Sequence, residues 1–179
     1  MSVQLSKQDN NALPLSGMQS VKTLIVGLGN TILSDDGVGI YVAKKLRKIL
    51  TEQQATIIEA SISGLSLLDL LMGYNKVIII DAIQSAKGKA GQIYRLEPDS
   101  FSSSLHSTSP HDIDLTTALE FGRQLKLPVP EEIIFFAIEA ADISTFSEEC
   151  TPEVLQSIDK CVEMVAREVT TTSNQALVK

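Results

Sequence analysis

Short apolar runs alternate along the chain with segments in which apolar residues recur every three or four positions. The first pattern predicts buried β-strands and the second predicts amphipathic helices. Strands are predicted at residues 23–26, 56–59, 76–80, 91–96 and 133–138. Helices are predicted at residues 37–50, 64–72, 110–125 and 152–169. Such an alternation is typical of a mostly parallel sheet with helices on both of its faces.

The predicted elements form one domain of the α/β class. We expect three layers, α/β/α, around a twisted, mostly parallel sheet of about five strands. The run at 76–80 is apolar throughout, as in a central strand buried on both faces. The termini are polar and aperiodic, so residues 1–20 and 172–179 are expected to be flexible tails around a single α/β domain spanning 21–171.

The composition narrows the class of protein. The chain has 179 residues, 44% of them hydrophobic, and a formal net charge of −7. This size and apolar content suit a folded globule, whereas the acidic balance argues against nucleic-acid binding. Apolar stretches fall short of the ~20 residues of a membrane span, and the N-terminus lacks signal-peptide features. Cys150 and Cys161 have no CxxC spacing and are expected to be reduced thiols of a cytoplasmic protein.

A glycine-rich turn with two acids follows the first strand, in Gly27-Leu-Gly-Asn-Thr-Ile-Leu-Ser-Asp-Asp-Gly-Val-Gly39. Its start is similar to a dinucleotide-binding turn, but Ile32 stands where the third glycine is needed. Asp35 and Asp36 would also repel a pyrophosphate at the helix N-terminus. Either acid could cap the following helix through a side-chain oxygen. Two acids together indicate that one caps while the other points into the crevice.

Asp81 and His111 stand at ends of predicted elements. Asp81 follows the strand at 76–80, and open α/β sheets bind ligands at the carboxyl ends of their strands, although a turn-forming aspartate fits as well. His111 falls in the first turn of a predicted helix, where the helix dipole disfavours an imidazolium. A neutral imidazole can bind a metal, and a surface histidine fits the pattern equally. Together with Asp36, these side chains could hold a divalent metal ion.

Three stretches of the chain resemble motifs of the hydrogenase maturation endopeptidases, and the resemblance covers roughly residues 23–168. The segment 26–39 is similar to the family's strand–turn–helix signature, Ile79-Ile-Asp-Ala-Ile83 to its second motif, and Ser109-Pro-His-Asp112 to its third. In that family the matching acids and histidine bind nickel. The resemblance therefore implies that the catalytic and metal-binding residues are Asp36, Asp81 and His111.

Two positions depart from the family pattern. The family often has an acid followed by two glycines after the second strand, where this chain reads Glu59-Ala-Ser-Ile-Ser-Gly64. This change concerns the loop that would accommodate the substrate backbone. Ala140 stands where a proline commonly follows the glutamate of the last strand, so the family pattern assigns no role to Glu139.

The resemblance also implies a phosphorylase/hydrolase-like fold, a peptidase domain spanning 21–171, and a function. The expected activity is removal of a C-terminal extension from the large-subunit precursor of a nickel–iron hydrogenase after nickel insertion. The nickel would arrive with the substrate, so no permanently bound cofactor is expected, and the partner is the precursor rather than nucleic acid or a membrane. We expect a monomer. Two alternatives are a zinc-loaded hydrolase with the same ligands and a non-catalytic nickel-sensing chaperone. A more distant one is a peptidyl-tRNA hydrolase, but the acidic charge of the chain argues against tRNA binding.

Overall fold

The computed structural model describes residues 21–62, 64–97 and 112–176. The strands in this part of the chain are β1 (Thr23–Leu28), β2 (Thr56–Ala60), β3 (Lys76–Ile83), β4 (Ile93–Leu96) and β5 (Glu132–Glu139). A 3-10 helix (Ser34–Gly37) precedes α1 (Val38–Leu46). The remaining helices are α2 (Gly64–Leu71), α3 (Asp112–Gln124) and α4 (Pro152–Ala176). None of these described helices is both long and apolar enough to cross a membrane.

The strands form a single five-stranded sheet in the order β2-β1-β3-β5-β4. Neighbouring strands are parallel except for β4, which runs antiparallel to β5 at one edge. The α/β class and the mostly parallel sheet that the sequence predicts are therefore confirmed. The short segment at 91–96, expected to be a strand, supplies the antiparallel edge.

Helices cover both faces of the sheet. On one face, α1 and α4 pack against a core that includes Ile78 and Ile80 of β3. On the other face, α2 and α3 pack against a core that includes Val77 and Ile79. Alternate residues of β3 thus contribute to two separate cores, which is why this strand is apolar throughout.

Three predicted boundaries differ from the structure. β3 continues to Ile83, because its pairing with β5 extends as far as the pair Ile83 and Glu139. α1 ends at Leu46, before the predicted end at residue 50. α4, predicted to end at about residue 169, continues to Ala176. Residues 1–20 and 177–179 lie outside the described part of the chain.

Glycine allows α1 to pack closely on the sheet. A Cβ atom at Gly39 would overlap the backbone carbonyl oxygens of both Ile80 and Leu28. We expect Gly39→Ala to lower the free energy of unfolding by about 1–3 kcal/mol, because backbone atoms of two strands would have to move. Urea unfolding measures the change. Gly122→Ala is the matched control, since the nearest atom to its added methyl is a movable methyl group of Val129; equal stability of Gly39→Ala and the unsubstituted protein would contradict the expectation.

Candidate active site

The strand order reverses at β1, so a topological switch point lies at the carboxyl ends of β1 and β3, where open α/β sheets form a crevice. From β1 the chain passes through α1 to β2 on one side, and then through α2 to β3 on the other side of β1. Open α/β sheets bind ligands where the strand order reverses in this way. Asp36 follows β1 and Asp81 lies near the carboxyl end of β3, so the fold brings both to the edge where this crevice lies.

The 3-10 helix carries Asp36 over the end of β1 and lies against β3. The turn depends on Gly29, whose φ of 129° disfavours other residues, and a Cβ atom there would overlap the carbonyl oxygen of Asp36. Asp36 is partly exposed. The N-cap of α1 is Gly37, which has no side chain to form a capping hydrogen bond. The expectation that one of the two aspartates caps this helix is therefore wrong.

Asp35 is fully buried and holds separate segments together. The backbone N–H groups of Ala141 and Asp142 donate to its Oδ2 over 2.9 and 3.0 Å, and that of Thr151 donates to Oδ1 over 2.7 Å. The Thr151 hydroxyl donates to the same carboxylate. Asp35 thereby links the turn after β1 to the loop after β5 and to the start of α4. Burial and the negative charge of Asp35 raise the pKa of the neighbouring Cys150 to about 11.

Asp81 lies within β3 rather than after it, so the position predicted for it after the strand is wrong, and so is the alternative of a turn-forming aspartate. It is 4% exposed and stands opposite Ala137 of β5. The N–H of Ala82 donates to its Oδ1 over 2.9 Å. Asp81 occupies the same side of the strand as Ile79 and Ile83, which face α2 and α3. The carboxylate therefore reaches the site from the side of the sheet that these two helices cover.

His111 lies outside the described residues, immediately before α3 begins at Asp112. The segment after α3 reaches the amino end of β3, since the N–H of Gly73 donates to the carbonyl oxygen of Pro128. The first turn of α3 thus lies towards the carboxyl edge of the sheet. Within the described residues, no group of three or more His, Cys, Asp or Glu side chains could hold a metal ion. The three-residue metal site therefore stays a prediction.

The altered loop after β2 contacts the glycine-rich turn. The N–H of Gly29 donates to the carbonyl oxygen of Ala60 over 3.2 Å, and the Ser61 hydroxyl donates to the carbonyl oxygen of Gly29. Glu59 forms an ion pair with Arg47 of the segment after α1. The start of this loop therefore supports the turn that carries Asp36.

Glu139 is a buried acid that the sequence reasoning left without a role. It ends β5, and its carboxylate accepts hydrogen bonds from the N–H of Ser85 over 2.6 Å and from the Ser85 hydroxyl over 3.0 Å. Burial, followed by the negative charge of Glu139, raises the pKa of Tyr94. Glu139 thus holds the segment that leaves β3 just after Asp81. The signal that could have revealed it is the same as for Asp81, an acid at the end of an apolar strand.

These features define an α/β protein with acidic residues at its topological switch point. The family model for HycI, hydrogenase maturation protease, matches residues 40–168. The chain belongs to the hydrogenase maturation protease family, which consists of peptide hydrolases. It is similar to the hydrogenase 2 maturation protease of Escherichia coli, with 24% identity over 160 residues that cover 83% of this chain and 98% of that protein.

Solved structures of related proteins share the fold. The hydrogenase maturating endopeptidase HybD from Escherichia coli superposes with a TM-score of 0.72 and 24% identity, covering 84% of this chain and 93% of that chain. The NiFe hydrogenase maturation protease HybD from Thermococcus kodakarensis gives a TM-score of 0.64 with 25% identity, covering 83% of this chain and 99% of that one. Each similarity extends over nearly the whole of the other chain.

Proposed function

We propose that this protein removes the C-terminal extension from the large-subunit precursor of a nickel–iron hydrogenase after nickel insertion. Membership of the hydrogenase maturation protease family supports the reaction and the class of substrate. The observation that carries the proposal is the position of two acids of the predicted set at the topological switch point. Asp36 lies in the 3-10 helix that follows β1, and Asp81 lies near the carboxyl end of β3. The proposal places the protein in the cytoplasm, acting as a monomer on the precursor.

Nickel recognition is part of the proposal. Asp36, Asp81 and His111 would contact the nickel that the precursor carries, through oxygen and nitrogen ligands. Thiolates bind such metals more strongly, but Cys150 and Cys161 are both buried in the core. Burial also raises the pKa of Cys161 to about 12, which keeps this thiol protonated. The two carboxylates and the imidazole are therefore the donors that remain for the metal, and they form a weak site. Such a site can contact the nickel without removing it from the precursor.

Cleavage requires an activated water molecule near the scissile carbonyl. Asp36 is partly exposed whereas Asp81 is buried, so Asp36 is the better placed of the two to accept a proton from water. Asp81 would then act mainly as a ligand. The substrate's nickel can polarise the carbonyl as a Lewis acid. Because the docked metal positions the peptide, we expect no activity on ordinary peptides or casein.

The mass of the large-subunit precursor tests this function. After incubation with the protein, we expect the nickel-loaded precursor to lose a short C-terminal fragment and the nickel-free precursor to keep its full mass. The metal content of the purified protein is measured in parallel. Stable association without a change in mass would indicate a nickel-sensing chaperone, and tightly held zinc with cleavage of both precursor forms would indicate a zinc hydrolase.

A further inference from the structure

Two exposed apolar side chains lie beside the candidate site. Ile32, in the glycine-rich turn that carries Asp36, is 47% exposed. Phe146, in the loop between β5 and α4, is 81% exposed. Exposing large apolar side chains to water is unfavourable, and groups of them often mark interaction sites. We call this pair the apolar lip.

The backbone pairs the two members of the lip. Leu33 and Ser147 form a parallel β-bridge. The N–H of Ser147 donates to the carbonyl oxygen of Ile32 over 3.1 Å, and the N–H of Ser34 donates to the carbonyl oxygen of Ser147 over 2.8 Å. Ile32 and Phe146 each precede a member of the bridge, so they occupy equivalent positions on two paired segments. Equivalent positions on parallel strands share a face and lie about 4.8 Å apart.

The segments that carry the lip are held by further hydrogen bonds. The Tyr41 hydroxyl of α1 donates to the carbonyl oxygen of Glu148. The N–H groups of Ser144 and Thr145 donate to Oδ1 of Asp142 over 2.9 and 3.1 Å. Hydrogen bonds from the Thr145 side chain and from these two N–H groups lower the pKa of Asp142 to about 2. The loop before Phe146 is therefore ordered by its own contacts, so a ligand would meet a preformed surface and lose little free energy to ordering it.

Negative charge is concentrated in the loop that carries Phe146. This loop, residues 140–151, contains Asp142, Glu148 and Glu149 and neither Lys nor Arg. Glu148 and Glu149, close to Phe146 in the chain, are both exposed. A peptide that carries Lys or Arg beside an apolar residue would match this surface in both charge and hydrophobicity.

We propose that the apolar lip binds an apolar side chain of the large-subunit precursor, within a segment of its C-terminal region that also carries Lys or Arg. This inference rests on the proposed function and assigns part of its substrate specificity. Because Ile32 and Asp36 belong to the same turn, a peptide held on the lip is held beside the crevice. The lip thus positions the substrate and takes no part in the chemistry.

Steady-state cleavage of the nickel-loaded precursor tests the lip. We expect Phe146→Ser, and separately Ile32→Ser, to raise KM about tenfold and to leave kcat within about twofold, because only substrate binding is weakened. Glu148→Lys is expected to raise KM several-fold through charge repulsion. Phe121→Ser is the matched control, since Phe121 is 49% exposed in the C-terminal half of α3, and its KM should not change.

Several outcomes would contradict the proposal that the apolar lip binds the precursor. An unchanged KM for Phe146→Ser, or an equal rise for Phe121→Ser, would show that the pair does not bind the precursor specifically. Self-association that is lost in Phe146→Ser, measured by sedimentation, would assign the lip to a second copy of this chain. If the unsubstituted protein binds the precursor without cleaving it, the proposed function fails, and the same variants then test the lip through Kd. Absence of both binding and cleavage would overturn both proposals.

Discussion

Asp35→Ala is expected to lower the free energy of unfolding by about 3–5 kcal/mol, a large part of the stability of a domain of this size. The carboxylate is fully buried and accepts hydrogen bonds from the N–H groups of Ala141, Asp142 and Thr151. Alanine would leave these donors without their acceptor, and buried donors are costly when unpaired. The turn after β1 and the start of α4 would lose their common anchor at the same time.

Urea unfolding of the variants measures the effect of Asp35. Glu148→Ala is the control, because the exposed side chain of Glu148 should contribute within about 0.5 kcal/mol. Asp35→Asn keeps one acceptor oxygen and is expected to fall between the control and Asp35→Ala. If Asp35→Ala unfolded at the same urea concentration as Glu148→Ala, the carboxylate would have no structural role.

Asp36→Asn and Asp81→Asn are each expected to reduce the rate of precursor cleavage by about 10²-fold or more. Asparagine keeps the size of the side chain and one oxygen, so the bond from the N–H of Ala82 to residue 81 can persist. It removes the negative charge that would bind the substrate's nickel or accept a proton from water. The loss should therefore fall on activity much more than on folding.

Time courses of precursor cleavage, with urea unfolding of the same samples, separate these effects. Asp159→Asn on the surface of α4 is the matched control, because its carboxylate pairs only with the exposed Lys45 among the contacts of the described residues. This control should cleave at the normal rate. His111→Ala extends the test to the third predicted ligand. Normal cleavage by a well-folded Asp36→Asn protein would remove Asp36 from the proposed mechanism.

The local sequence around Glu139 predicts the position of this acid but not the groups that it contacts. It follows an apolar run in the sequence, as Asp81 does, and both side chains are buried. The resemblance to the family distinguishes the two, because it implies a metal-binding role for Asp81 and none for Glu139. In the structure, the contacts of Glu139 with Ser85 give it a role in positioning the segment after β3. An acid that follows an apolar run can therefore be recognised in the sequence. Its role depends on the groups that its carboxylate contacts in the folded protein.

Periodicity and motif by themselves determined the class of this protein. Strand and helix patterns are local, because side-chain direction repeats every two or 3.6 residues, so the five strands and their alternation with helices were predictable. The resemblance of three motifs to those of the hydrogenase maturation endopeptidases then indicated the family, and the family match agrees. The buried run at 76–80 also identified β3 as the centre of the sheet.

Tertiary structure alone decided what depends on distant partners. The pairing of β3 with β5 places Asp81 inside a strand instead of after it. The partners of Asp35 lie more than a hundred residues further along the chain, so no local pattern could distinguish this structural acid from Asp36 beside it. Ile32 and Phe146 became neighbours in the same way, through the bridge between Leu33 and Ser147. Contacts between remote segments form only when the chain folds, which is why the sequence does not show them.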